Sequence, residues 1–369
     1  MKNKVLFLTL KVFAATGGIE KVCRIAGKAI FEWAQMNGGM VKVFSMYDNQ
    51  KDSFENKYFP AEIFRGFRMK KMSFIITSVW NAKKYDTIIL SHINLLLVGW
   101  LIKKINPKAK LVLFAHGIEI WNDISGFKLM MLKQCDLIIP VSQFTSSKIQ
   151  EVHQIDSNKC MVINNCLDPF LPIGKEFKNN FDLRDKYGFK KEDLILFTLT
   201  RLSSKERYKG YDKVLEALVD IKKVHPQVKY LIAGSYDQKE KDYIVEMALK
   251  YELSDSLLIS GFIPDDELVA HFSMADIYIM PSMKEGFGIV FIEAMYYGLP
   301  VIAGNRDGSV DALCNGDLGI LVDPTDTVAI KNALDKILKN KSEFIPDKKL
   351  LMDKFSYETY KRKLEQILN

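Results

Sequence analysis

No two cysteines in this 369-residue chain are spaced as Cys-x-x-Cys, and the five present (Cys23, Cys135, Cys160, Cys166, Cys314) are scattered and odd in number. A disulfide framework and a thiolate zinc site are both excluded, and the usage suits a reducing compartment. The chain also lacks any Asp-x-Asp pair and any histidine cluster at metal-ligand spacing, so no metal is expected. Long apolar runs are missing as well. The best candidate for a membrane span, Ile88–Ile102, is broken by Ser91, His92 and Asn94 and falls short of the ~20 residues a bilayer requires. The apolar Val5–Leu10 run behind Lys2 and Lys4 is too short for a signal segment, and Gly17-Gly18 and charged residues follow it closely. A soluble, cytoplasmic protein is expected, peripheral at most on the inner face of the plasma membrane.

What the chain does contain is apolar residues (48%) and charge (26%) in the proportions of globular domains, over a length that suits two of them. The net charge of +7 is unevenly placed. Residues 1–170 hold 23 Lys and Arg against 13 Asp and Glu, whereas the remainder holds 29 against 32. A basic first half implies an anionic partner, and charge alone leaves membrane surface, diphospholipid and nucleic acid open.

Short apolar runs alternate with amphipathic stretches, the signature of βαβ units and parallel sheets. The first series of strands is expected at Lys4–Thr9, Val41–Ser45, Thr87–Ser91, Leu111–Ala115, Leu137–Val141 and Met161–Ile163. A second runs from Leu194–Leu199 through Tyr230–Ala233, Leu257–Ser260, Ile277–Met280 and Val301–Ala303 to Gly319–Val322. Proline, glycine and charge accumulate in between. The expectation is therefore an N-terminal Rossmann-like domain over 1–168, a linker over 169–190 and a C-terminal Rossmann-like domain over 191–350. A last amphipathic segment over 351–369 is expected to pack back on the N-terminal domain. Doubly wound sheets bind ligands beyond the carboxyl ends of their strands, so chemistry should concentrate in loops after strands.

The richest such loop is Pro281-Ser-Met-Lys-Glu285-Gly286-Phe287-Gly288, which opens a helix starting Ile289-Val290. Its glycines admit close backbone approach, and the helix N-terminus favours an anion such as a diphosphate. Glu293 falls on a mostly apolar helical face with Val290, Ala294 and Tyr297, where a carboxylate needs hydrogen-bond donors. Ribose hydroxyls or structural groups could supply them. Gly17 and Gly18 close the first strand and open a helix, as phosphate loops and ordinary turns both do. His116 follows a predicted strand, His92 is a weaker candidate of the same kind, and His153, His225 and His271 read as surface residues. Arg65–Lys84 mixes cations with bulky apolar residues, which suits an interfacial segment or a helix packed on its own sheet.

Glu285 and Glu293 sit at the spacing of the E-x7-E signature, and the chain resembles the retaining family-4 (group 1) glycosyltransferases of GT-B fold. The resemblance extends to Gly17-Gly18-Ile-Glu20, Val141-Ser142-Gln-Phe144-Thr145, Asn164-Asn165-Cys-Leu-Asp168, Arg201-Leu202, Lys209-Gly210, Gly261-Phe262-Ile263-Pro264 and Ala275-Asp276. It implies two Rossmann-like domains facing across a cleft. A nucleotide-diphosphate sugar would be co-substrate, a saccharide or lipid-linked molecule the acceptor, with no metal, no other cofactor and no nucleic acid. It implies Arg201 and Lys209 as the cations that neutralise the diphosphate, although Lys205 and Arg207 lie between them. Glu285 would contact sugar hydroxyls, Phe287, Gly288, Ile289 and Val290 would meet sugar or phosphate, and Glu293 the ribose. Phe262 and Ile263 would frame the base, Gly17 and Gly18 would bind phosphate, and His116 would face the sugar. The usual G-G-x-P-E loop is replaced by Gly304-Asn-Arg306-Asp307-Gly308-Ser309-Val-Asp311. Surface polysaccharide synthesis is the implied setting. A nucleotide-sugar epimerase, a glucan synthase and a non-enzymatic basic membrane binder are the alternatives.

Overall fold

The computed structural model describes residues 4–124, 126–172 and 181–369. The chain divides into two compact units, Met1–Pro169 with Phe355–Asn369, and Phe170–Lys354. Unit one holds strands β1 (Lys4–Thr9), β2 (Met40–Ser45), β3 (Phe64–Gly66), β4 (Thr87–Leu90), β5 (Lys110–Ala115) and β6 (Leu137–Pro140). Unit two holds β7 (Leu194–Leu199), β8 (Val228–Ala233), β9 (Leu257–Gly261), β10 (Ile277–Met280), β11 (Val301–Gly304) and β12 (Ile320–Val322). Each set forms a six-stranded parallel sheet, ordered β3-β2-β1-β4-β5-β6 and β12-β11-β10-β7-β8-β9. The two orders are the same once each unit is counted from its own first strand. The reversal of strand order falls between β1 and β4 in one unit and between β7 and β10 in the other, the positions where such sheets take ligands.

Most of these strands are predominantly apolar because helices cover both faces of the sheet. In β1 the side chains of Leu6 and Leu8 enter one core cluster, with Ile88, Leu90 and Phe74. Val5 and Phe7 enter the opposite one, with Ile89, Val112 and Trp33. That second cluster also takes in Tyr357, Tyr360, Leu364 and Ile367 of the last helix, Tyr357–Leu368. The helix is fastened to helix Gly18–Met36 by Tyr357 Oη donating to Glu32 at 2.8 Å and by the Lys361–Glu32 pair at 2.9 Å.

Three expectations are corrected. Met161–Ile163 forms no strand: Cys160 makes an isolated bridge to Ile138, and only the Met161 and Ile163 N–H groups go on to donate to Ile138 O and Pro140 O, at 3.0 and 3.1 Å. Phe64–Gly66 does form one, too short for its alternation to register in sequence. The stretch expected as linker carries a helix, Phe181–Lys186, whose Arg184 donates to Met274 O at 3.2 Å and pairs with Asp276. Residues 173–180 of that expectation lie outside the described residues. Ile88–Ile102 is divided between β4, a short turn and helix Leu96–Ile105, and among the described residues no helix is long and apolar enough to cross a membrane.

Candidate active site

At the carboxyl edge of unit two, the loop after β7 carries four cations with different fates. Arg207 lies flat over Tyr243, 3.6 Å from the ring centroid, and donates to buried Glu240 at 2.9 and 3.1 Å. Tyr211 Oη donates to the same carboxylate at 2.7 Å. Arg207 is therefore committed to shaping the loop. Arg201 is exposed and paired with Glu206, and Lys205 is exposed. Lys209 is largely buried and reaches Glu285, in the loop after β10, with Nζ–Oε2 at 2.5 Å. Burial pulls the Lys209 ammonium down, but the adjacent Glu285 carboxylate outweighs it and holds the pKa above the ordinary lysine value. The Met283 N–H donates to Tyr208 O at 2.8 Å and stitches the two loops together. Lys209 and Glu285 thus come from the two strands that flank the reversal of strand order.

Glycine is required where the second loop becomes a helix. Gly288 has φ of 85°, and a Cβ there would collide with the Phe291 ring. Helix Ile289–Tyr296 begins at once, with Ile289 and Val290 half-buried and Phe287 buried beneath the turn. Its first N–H groups form the positive end of the helix beside Lys209 and Glu285. Glu293 is buried among the apolar residues of that helix. After the edge strand β9, Phe262 is exposed and Ile263 buried. The loops after β7 and β8 are laced by Leu202 N–H to Ser235 O at 2.9 Å and Ser204 N–H to Asp237 Oδ2 at 2.9 Å.

Two acidic residues at this edge escaped sequence reading. Glu206 holds Arg201. Asp307, in the loop after β11, is fully buried and accepts the Glu285 N–H at 2.7 Å and the Ser309 N–H at 2.9 Å. Burial pushes its carboxyl up to about 7, the Glu285 charge adding to the rise and the N–H donors opposing it. Its neighbours in sequence, Arg306 and Gly308, gave no hint of a carboxylate aimed inward.

Unit one has an edge of another character. Asp48, also fully buried, accepts N–H bonds from Val12 (2.7 Å), Phe13 (3.0 Å) and Ala14 (2.5 Å), and the Ser45 hydroxyl donates to it. Arg24 donates to Val12 O at 2.9 Å from the opposite side. Between them they set the course of the loop that leads to Gly17 and Gly18. Both glycines are exposed, Gly17 at an ordinary φ of −73°. A Cβ at Gly18 would meet nothing, and one at Gly17 only the flexible Glu20 carboxylate, so the fold itself does not demand either glycine. His116 follows β5, its ring Nε2 2.7 Å from Ser91 O and its backbone N–H on Glu119 at 2.6 Å. Nε2–H is the donor in that bond, which leaves Nδ1 as acceptor in the neutral ring. His92 accepts the Asn94 N–H on Nδ1 at 3.1 Å. Burial lowers its pKa, Glu119 acting against the shift and His116 with it, so the fold gathers His92, His116 and Glu119 on one edge.

The surface reading of two histidines is corrected. His153 is buried with Nε2 2.7 Å from Ile120 O, and His271 is buried between Glu267 O and the Tyr187 hydroxyl. Both lie on helix faces whose apolar period is weak, so the sequence pattern gave them no inward assignment.

Comparison with known proteins agrees with this picture. Residues 179–362 match the family described as glycosyl transferases group 1, and residues 31–169 match glycosyltransferase family 4. A GDP-mannose-dependent alpha-(1-6)-phosphatidylinositol monomannoside mannosyltransferase of Mycolicibacterium smegmatis is 31% identical over 163 residues, covering 42% of this chain and 41% of that protein. An uncharacterized glycosyltransferase of Methanocaldococcus jannaschii is 26% identical over 226 residues, 60% of this chain and 56% of that one. The chain thus spans about half the length of these relatives. Anabaena HepE, solved with UDP and glucose, superposes with a TM-score of 0.79 at 20% identity over 99% of both chains, which speaks to the fold. Two α/β units of one strand order, under family matches that cover both sheets, lead to one conclusion: the chain belongs to the group 1 glycosyltransferases and has the GT-B fold.

Proposed function

We propose that the chain transfers a hexose, with retention of configuration, from a nucleoside diphosphate to a saccharide or lipid-linked acceptor in surface polysaccharide synthesis. The observation that carries this reading is the Lys209–Glu285 pair beside the glycine-opened helix Ile289–Tyr296. When the bond between the anomeric carbon and the β-phosphate oxygen breaks, negative charge grows on the departing diphosphate. Lys209, Arg201 and the helix N-terminus stabilise that charge, and they speed the reaction to the extent that they bind it better than the ground state. The acceptor oxygen bonds to the same face of the carbon, and its proton passes to the departing phosphate oxygen. Glu285 binds sugar hydroxyls with Phe287 and Gly288 alongside, Glu293 binds ribose, and Phe262 and Ile263 frame the base. The roles of His116, toward the sugar, and of Gly17 and Gly18, toward phosphate, rest on the family resemblance. Fixed cations do the work of a metal here, so turnover should survive EDTA, and a strict need for added Mg²⁺ or Mn²⁺ would contradict this. UDP and GDP sugars are the first donors to assay, because HepE was solved with UDP and the mycobacterial relative depends on GDP-mannose. Thermal stabilisation by a panel of them, followed by product formation with and without acceptor, tests the reading.

A peripheral membrane role, on the cytoplasmic face, is favoured by helix Lys71–Asn81. It buries Phe74 and Ser78 and exposes Met72 (67%), Ile76 (63%) and Trp80 (72%) along one stripe. Met69 extends the stripe, and Lys70, Lys71, Lys83 and Lys84 border it. Aromatic and aliphatic residues ringed by lysine suit an anionic bilayer surface. Salt-sensitive co-sedimentation with anionic vesicles tests this, and no binding at low salt rejects it.

A further inference from the structure

We infer that Asp307 is a positioning residue for the donor site: its buried carboxylate clamps the backbone of Glu285 and so sets where the Glu285 side chain meets substrate. The inference rests on the donor-site reading above. The Glu285 peptide is held from both sides by one short segment. Its N–H donates to Asp307 Oδ2 at 2.7 Å, and its carbonyl accepts the Gly308 N–H at 2.8 Å. The segment is pressed close, because a Cβ at Gly308 would collide with the Gly286 carbonyl oxygen. The second Asp307 oxygen takes the Ser309 N–H at 2.9 Å, which opens the next turn of helix. Each oxygen therefore accepts one N–H, and a proton on either weakens that oxygen as an acceptor.

The charged groups about Asp307 are few. Glu285 faces it from the loop after β10, and Lys209, from the loop after β7, lies beyond Glu285 and neutralises it. Arg306, next in sequence, turns away to Asp323. No cation is bonded to Asp307 among the described contacts, so its charge is kept by the Ser309 side chain and by the backbone N–H groups of Ser309 and Glu285. Burial raises its pKa to the neutral range. The clamp is thus complete only in the ionised form, while burial favours the neutral one. Order at Glu285 is obtained at a cost in stability, a pattern expected of a functional position and not of a structural carboxylate.

Asp307→Asn in the full chain separates the two roles. Asparagine keeps the shape but offers an NH₂ where one N–H needs an acceptor. Turnover of UDP-glucose or GDP-mannose by the wild type should fall as pH drops through the neutral range. The variant should be about tenfold slower at about pH 8, with the acid limb gone, and its thermal midpoint there should be no lower than wild type. With ¹⁵N-glutamate labelling, the Glu285 amide should shift through the same range in the wild type and stay fixed in the variant. A Glu285 amide that does not titrate, or a variant that keeps the wild-type pH profile, overturns the assignment. Should the wild type turn over neither sugar nucleotide while the amide titrates, the donor-site reading is what fails and the clamp is structure alone.

Discussion

The two units share a strand order, yet each uses its buried charge differently. In unit one Asp48 and Arg24 both serve the loop after β1, Asp48 through the N–H groups of Val12, Phe13 and Ala14 and the Ser45 hydroxyl, Arg24 through Val12 O. Its edge also carries His92, His116 and Glu119, and Gly17 and Gly18 lie exposed close to that loop in sequence. In unit two, Lys209 and Glu285 come from different loops, on the two strands that flank the reversal, and each charge is partnered by the other. Asp307 adds a buried carboxylate that accepts the Glu285 and Ser309 N–H groups. Topology thus dictates where loops converge, and the placement of charge decides which unit handles an anion.

The sharpest way to break that contrast is at Lys209. Lys209→Ala should lower transfer about 10²–10³-fold, as expected for loss of a fixed group that stabilises developing charge. The far-UV spectrum and thermal midpoint should change little. Glu285→Ala should lose a comparable amount. Full activity in either variant would move the anion site elsewhere. Asp48→Ala should behave in the opposite way, costing about 2–4 kcal/mol in stability because three N–H groups lose a charged acceptor in a buried loop. Chemical denaturation measures it. An Asp48 variant of unchanged stability would mean that unit one's loop is held by something else.

Much of this was legible in the sequence, and the reasons are physical. Eleven of the twelve strands coincide with expected runs, mostly apolar because both faces are covered, as in β1 and β7. Glu285 and Gly288 stood out as part of a glycine-rich loop that opens a helix, whereas Lys209 entered only through the family resemblance. Asp307 and Asp48 did not stand out. Each acts through backbone groups distant in sequence, Glu285 for the one and Val12 to Ala14 for the other, and no local pattern reports such a bond. Which cation meets Glu285 was open for the same reason. Lys205, Arg207 and Lys209 look alike until Glu240, thirty-three positions after Arg207, is seen to claim it.

Unit one's surface offers a smaller test. Lys70→Glu with Lys71→Glu should weaken vesicle binding about tenfold or more at low salt, since each lysine near an anionic surface contributes about 1 kcal/mol. Trp80→Ala should weaken it with less dependence on salt, through lost apolar contact. Equal binding by all three chains would leave the stripe on helix Lys71–Asn81 without a lipid role.

The smallest expected effect sets the two units against each other in pH. In unit one, Glu32 is buried enough to be pushed up, but its hydrogen bonds to Lys28, Lys361 and Tyr357 prevail and hold its pKa down at about 2. A carboxylate depressed in the fold adds stability above its ordinary value of about 4.5, and that stability drains away as pH falls toward 2. Helix Tyr357–Leu368 should therefore loosen from helix Gly18–Met36 in acid, and Glu32→Gln should cost about 1 kcal/mol near neutrality, discounted because Glu32 is partly solvated. Asp307 in unit two has the opposite sign. Its raised pKa adds stability at low pH, and that addition is lost as pH rises through about 7. Hydrogen exchange corrected for intrinsic rate should show protection in the last helix falling below about pH 4, while unit-two peptides that exchange only through unfolding of that unit lose protection between about pH 4 and about pH 7 and stay level above. The same trend in both units would mean that these two carboxylates do not govern them.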